Sequence, residues 1–226
     1  MTRVLRRMVT RLQLRPEWPG EKDRYSYQKK YAHFDFKPGE RVLDIGSGGD
    51  PFPHATVLMD QHIETTVHRA DTLVTNGKPF LLADIHSLPF CTGSFDYVFC
   101  SHLLEHVADP IRACSEMMRV GRRGFIETPT FAKDMLFAWA AGMHKWHVAA
   151  IADTLVFFEY SARQAEGIKS SAWRDLIFSR LYHPLQRAFY DNADLFNTML
   201  CWNARFNVVV FRQDGSMEIL GSPKRP

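Results

Sequence analysis

The chain is poor in cysteine: Cys91, Cys100, Cys114 and Cys201 are all it holds, and no two stand in C-x-x-C spacing. With no such pair, and with all four in apolar or strand-like surroundings, they read as reduced core thiols of a reducing, cytoplasmic compartment. Long hydrophobic runs are missing too. No stretch approaches the ~18 uncharged apolar residues of a membrane-spanning helix, so the chain is not expected to be integral to a membrane. Neither sign of charge prevails: 28 Lys and Arg against 25 Asp and Glu leave a formal +3, too little to demand nucleic acid as a partner. Internal repeats are absent. What is present is 226 residues with 46% hydrophobic content, enough to bury a sizeable core as one domain over 1–226.

One local exception breaks the charge balance. Residues 1–16, MTRVLRRMVTRLQLRP, carry five arginines and no acid, with Val4, Leu5, Met8, Val9 and Leu12 at helical spacing. This opens a basic amphipathic amino-terminal segment, taken as 1–35. Three readings stay open for it: a helix packed on the domain, a contact with a membrane surface or another anionic partner, or an organellar presequence. A secretory signal is disfavoured, because no uninterrupted apolar stretch follows the arginines.

Short runs rich in Val, Ile, Leu or Phe occur at 41–45, 56–59, 79–83, 95–100 and 124–127. Near-continuous apolar runs of this kind suit buried parallel strands. Between the last two, Asp109 reads as an N-cap and Pro110 as the first helical residue, with Ile111, Cys114 and Met118 on one face. Strand, helix, strand is a βαβ unit, and its repetition gives a doubly wound α/β sheet with a ligand crevice at the carboxyl ends of its strands. After Thr130 the character changes. The stretch from 131 begins helical and should stop near Gly142, LVFFEY reads as a strand, Ser171 to Leu200 as helix interrupted near Pro184, and CWNARFNVVVFR as one or two final strands. This region, 130–200, is the expected substrate-binding insertion, since recognition usually sits on segments held by a rigid scaffold. Its clustered aromatics read either as the insertion's own core or as an acceptor cage.

The stretch VLDIGSGGDPFPHATVLMD, 42–60, carries a glycine-rich turn after the first strand. A dinucleotide site needs G-x-G-x-x-G opening a long helix whose N-terminus faces the pyrophosphate. Here Pro51 stands where the third glycine belongs, Pro53 follows, and Asp50 would set negative charge beside the phosphates. A nucleoside ligand without phosphates has no such need. S-adenosylmethionine carries a sulfonium, an ammonium and one carboxylate, so Asp44 can serve the ammonium while Gly46, Ser47 and Gly48 let the backbone approach. Asp60 ends the next strand, where its carboxylate can accept both ribose hydroxyls.

The stretch LLADIHSLPFCTGSFDYVFCSHLLEHVADPIRACSEMMRV, 81–120, then closely resembles the class I S-adenosylmethionine-dependent methyltransferases. The likeness is to their small-molecule branch, whose pattern runs roughly D-x-x-x-L-P-F, S-F-D-x-V, L-E-H-V-x-D-P and R-V. With the glycine turn, the resemblance covers 41–127. It implies a mostly parallel, Rossmann-like seven-stranded methyltransferase sheet, here with a shortened first βα unit and a helical, aromatic insertion after the fifth strand. It also implies that Asp84 meets the adenine amine, that the Ile85 N–H meets a ring nitrogen, that Ser101 and His102 line the methionine side, and that His106 sits near the transferable methyl. The Lys-Pro-Gly-Gly turn usual before the fifth strand is absent.

Each residue has a plainer reading: Asp44, Asp60 and Asp84 can cap turns or stand in solvated loops. Their recurrence at successive strand ends favours a site. His144 and His147 raise a metal site, yet their i, i+3 spacing on a strand would put them on opposite faces, and no acidic or Cys partner stands at ligand spacing. No metal is therefore expected. Proton removal from an alcohol or phenol acceptor would fall to His106 or His102, with Glu105 and Glu127 as alternatives. Trp146 and His147 are expected to contact the acceptor. The function that follows is S-adenosylmethionine-dependent methyl transfer to a small-molecule acceptor such as a glycan, lipid-linked sugar, quinone or polyketide. Two alternatives are an RNA methyltransferase, for which no strong nucleic-acid signal is present, and a non-catalytic cofactor-binding interaction protein.

Overall fold

The computed structural model describes residues 24–66, 72–137, 143–169 and 192–221. The basic segment 1–16, Trp139, Gly142, the expected helix over 171–191 and the last five residues lie outside them.

Continuous apolar runs become the centre of the main sheet. Strands β1 (Val42–Ile45) and β4 (Tyr97–Ser101) are buried along their whole length. They are flanked by β2 (Val57–Asp60), β3 (Phe80–Leu82) and β5 (Arg123–Pro129), all parallel. The order is β3-β2-β1-β4-β5-β8, so the strand order reverses between β1 and β4 and opens a crevice at their carboxyl ends. The last strand, β8 (Asn197–Asn203), runs antiparallel to β5 in a seven-residue ladder from Arg123↔Asn203 to Pro129↔Asn197. This sheet has six strands among the described residues, one fewer than the resemblance implies.

Asp109 and Pro110 start a helix as expected. In the helix Pro110–Val120, the Asp109 side chain accepts from the Arg112 N–H at 3.0 Å. Its buried stripe is Ala113, Cys114, Met117 and Val120, with Ile111 and Met118 at the edge of that face.

No helix joins β1 to β2, and aromatic rings take its place against the sheet. Phe52 is 2% exposed and stacks on Phe99 of β4 with centroids 4.0 Å apart and planes 5° apart. Phe34, Phe36 and Tyr25 close around it. Pro51 and Pro53 forbid a regular helix here, so a compact loop with large rings covers surface that a helix would otherwise cover. Lys78 Nζ satisfies the carbonyls of Phe52 and Pro53 at 3.2 and 2.7 Å.

The part after β5 differs from the helical insertion expected. Helix α3 (Phe131–Phe137) comes first, α1 being Arg24–Tyr31 and α2 Pro110–Val120. An antiparallel hairpin follows, β6 (Trp146–Ile151) and β7 (Thr154–Glu159), then α4 (Ala162–Lys169) and α5 (Ala193–Phe196). The hairpin joins β9 (Asn207–Phe211) and β10 (Met217–Leu220) in a second, four-stranded sheet, ordered β10-β9-β7-β6. Residues 197–200, expected to end a helix, are strand instead: seven cross-strand pairs with β5 outweigh local helix preference. Both sheets share one core, in which Trp146, Val148, Leu155 and Phe157 pack with Met117, Leu200, Trp202 and Val208.

Candidate active site

The crevice at the strand carboxyl ends is built from the loops after β1, β2, β3 and β4. The first is the turn after β1. Gly46 and Gly48 take φ of +77° and +53°, in the left-handed region that a side chain disfavours. A Cβ on Gly46 would come within 3.1 Å of the Leu103 side chain, so the turn packs directly on the loop after β4. The N–H groups of Gly46 and Ser47 donate to Met59 O at 2.8 and 3.1 Å. Asp44, 1% exposed, accepts from Phe52 N–H through Oδ2 at 2.8 Å.

The second loop follows β2. Asp60 accepts from Gly48 N–H at Oδ2 (3.1 Å) and from His62 N–H at Oδ1 (2.9 Å). Asp84, after β3, takes the His86 N–H at 2.9 Å and the His86 ring nitrogen at 2.6 Å, both through Oδ1. Burial alone would raise Asp84, but these bonds hold it below the ordinary carboxylate value. Ile85 is 6% exposed.

These residues fit the nucleoside cofactor that the resemblance implies, and one observation speaks for it. The buried Ser47 Oγ, in the middle of the glycine turn, has no hydrogen-bond partner, and a buried hydroxyl left so is costly. A pyrophosphate fits poorly: the described residues between the turn and β2 form no helix whose N-terminus could face it.

The fourth loop, after β4, gathers acids and histidines. His102 has φ +55°, a conformation uncommon for a side-chain-bearing residue, and its N–H donates to Glu127 O at 2.8 Å. Its Nδ1 stands 3.5 Å from Glu105 Oε1 and its Nε2 3.9 Å from Glu127 Oε1. Glu105 is 1% exposed, and burial pushes its carboxyl up to about 7, His144 opposing the shift. Its carbonyl accepts from the N–H groups of Lys145 and Trp146, which ties the second sheet's hairpin to this loop. His106 lies against His144, ring centroids 4.6 Å apart.

Two expected site residues are deeply buried. Ser101 is 3% exposed and donates to Glu127 Oε2 at 2.9 Å, beneath Gln28 of α1. Trp146 is 2% exposed, donates from Nε1 to Val107 O at 2.7 Å and meets Phe157 edge-on, packed in the core. Alternation along β6 explains this: Trp146 turns inward, so His147 turns the other way. His147 lines a cavity of about 150 Å³ with Phe131, Phe158, Glu159, Tyr160 and Gln164. Burial lowers its affinity for a proton, against the pull of Asp134.

Several residues were not anticipated. From α1, the Tyr27 hydroxyl and Gln28 amide both donate to the fully buried Glu127. Asp134 of α3 accepts from the Tyr160 hydroxyl at 2.8 Å and faces His144 Nδ1 at 2.9 Å. Of the acidic groups near His144, Glu105 comes from the loop after β4 and Asp134 from α3, neither at the spacing of a local ligand motif. Only the paired aromatics and amide of YSYQ hinted at α1's role.

The family described as Methyltransferase domain matches residues 43–126, the segment from β1 into β5 that carries these loops. This part of the chain is similar to a class I methyltransferase domain. A ubiquinone biosynthesis O-methyltransferase of Xanthomonas campestris is 33% identical over 111 residues, covering 40% of this chain and 44% of that protein. A demethylmenaquinone methyltransferase of Beutenbergia cavernae is 36% identical over 95 residues, 39% of each chain. The chain thus spans less than half the length of these relatives. A solved putative methyltransferase of an antibiotic pathway from Anabaena variabilis shares 16% identity over 57% of this chain and 64% of its own, with a TM-score of 0.42. Beyond the methyltransferase domain, no helix among the described residues is long and apolar enough to cross a membrane.

Proposed function

We propose that the chain transfers a methyl group from S-adenosylmethionine to an oxygen of a small, ring-bearing acceptor of quinol type. The observation that carries this is the direct packing of the glycine turn on Leu103, which sets the cofactor loop against the loop of His102, Glu105 and His106 inside the matched segment. The names of the relatives, a ubiquinone biosynthesis O-methyltransferase and a demethylmenaquinone methyltransferase, support the acceptor class.

The bound cofactor supplies an electrophilic methyl on a sulfonium. The chain's task is then alignment and water exclusion, because the displacement is in line. Gly46 to Gly48 and Asp60 hold the nucleoside end. His102 takes the acceptor's hydroxyl proton at a ring nitrogen, with Glu105 3.5 Å and Glu127 3.9 Å from the ring to orient it. Phe131, His147 and Phe158 offer a flat-walled cavity for an aromatic acceptor. The test is incubation with methyl-labelled S-adenosylmethionine and a panel of catechols, hydroquinones and sugars, read by mass spectrometry. Label in a phenolic oxygen is expected, reduced at least tenfold in His102→Ala. Cofactor binding without transfer to any of the panel would refute the quinol reading and favour a non-catalytic role.

A further inference from the structure

Glu105, His106 and His144 bring one ligand atom each to within 4.8 Å of one another. His106 Nε2 stands 3.8 Å and His144 Nε2 4.0 Å from Glu105 Oε1. Such separations are too long for hydrogen bonds. They are wider by under about 1 Å than the spacing between ligand atoms that sit ~2.0–2.2 Å from one ion.

The far nitrogen of each ring indicates which atom faces inward. His106 Nδ1 meets the carbonyl of Met143 at 3.2 Å. A carbonyl only accepts, so Nδ1 carries the proton and Nε2 is the acceptor nitrogen of the neutral ring. His144 Nδ1 stands 2.9 Å from Asp134 Oδ1, an ion-pair distance without the angle of a hydrogen bond, and Asp134 is itself held by Tyr160 at 2.8 Å. The Nε2 atoms of both rings thus face one carboxylate, with a carbonyl bonded behind the His106 ring and the Asp134 carboxylate close behind the His144 ring. That arrangement is the usual outer support of a metal-bound histidine. Independently, Glu105 Oε2 is buried in the same cluster without a hydrogen-bond partner, a costly state for a carboxylate oxygen unless a cation or proton meets it.

We propose that Glu105, His106 and His144 bind one divalent transition-metal ion of the zinc or iron(II) type, with Asp134 positioning His144. Two imidazoles and one carboxylate suit such an ion and leave coordination positions open. Since His144 precedes β6 while Glu105 and His106 follow β4, the ion would also clamp the second sheet to the crevice. A role in holding the acceptor oxygen rests on the methyl-transfer reading; the binding itself does not.

The test uses the full chain freed of metal by chelator and desalted. Co²⁺ is titrated by visible absorption and Zn²⁺ by equilibrium dialysis with elemental analysis. One equivalent per chain is expected. His144→Ala should weaken binding at least tenfold, and Asp134→Asn about tenfold, the scale of losing an outer partner. The surface variant His33→Ala should bind as the parent does. Circular dichroism confirms folding, and Asp134→Asn decides if His144→Ala does not fold. No bound ion in the parent protein, or equal affinity in the parent and Asp134→Asn, overturns the site. Ion binding that persists without any methyl transfer leaves the site standing and removes only its link to the acceptor.

Discussion

Phe52→Ala probes how the fold does without a helix between β1 and β2. The side chain is 2% exposed and stacked 4.0 Å from Phe99, and its ring meets those of Tyr25, Phe34 and Phe36. Truncating a buried Phe to Ala costs about 3 to 5 kcal/mol, transfer and cavity together, and the lost aromatic pairs add roughly 0.5 to 1.5 kcal/mol. The loop between Pro51 and Pro53 can settle partly into the gap, so about 4 kcal/mol is the expected loss, against ~1 to 1.5 kcal/mol for the better-filling Phe52→Leu. Equilibrium urea unfolding followed by tryptophan fluorescence reads both. With a slope of ~2 to 3 kcal/mol per molar, the midpoint should fall by about 1.5 to 2 M for the alanine variant and by under 1 M for leucine. A loss below ~1 kcal/mol in Phe52→Ala would refute the idea that the rings carry the load of a helix.

Trp146→Phe should lower stability by about 2 kcal/mol, from lost volume and the lost bond to Val107 O, while affinity for S-adenosylhomocysteine, measured by calorimetry, stays within about threefold; a stable variant with damaged binding would contradict the core assignment. In chelator, stability should fall as pH rises from about 4.5 to 7. Burial raises folded Glu105 to about 7, so in that window the folded chain holds a proton that the unfolded chain has released, and the stabilisation is complete only below the unfolded value. The slope should amount to roughly 2 to 3 kcal/mol and flatten in Glu105→Gln, as thermal melts across the range would show; an unchanged slope in the variant would contradict it.

The parallel strands were legible because a strand covered on both faces must be apolar throughout, and VLDI and YVFCS are nearly so. Asp109 and Pro110 announced α2 by local chemistry alone. The second sheet was not legible as a sheet, since β7 pairs with β9 across some fifty residues and nothing local marks that partnership. For the same reason β8 looked like the end of a helix: its ladder with β5 is a tertiary fact. In the site, Asp44, Asp60 and the glycines were readable as strand-end residues. The hold of Tyr27 and Gln28 on Glu127 and the approach of Glu105 to His144 join residues distant in sequence, and only the folded chain brings them together.

The β1 turn and Asp60 are expected to hold a nucleoside cofactor without a pyrophosphate. Calorimetric titration with S-adenosylhomocysteine and with NAD, on the parent and on Asp60→Ala, tests it most directly. One S-adenosylhomocysteine per chain is expected, weakened in Asp60→Ala by roughly 1 to 3 kcal/mol, the scale of hydrogen bonds to a charged group, with no heat from NAD. Tight NAD binding, or S-adenosylhomocysteine affinity unchanged in a folded Asp60→Ala, would contradict it.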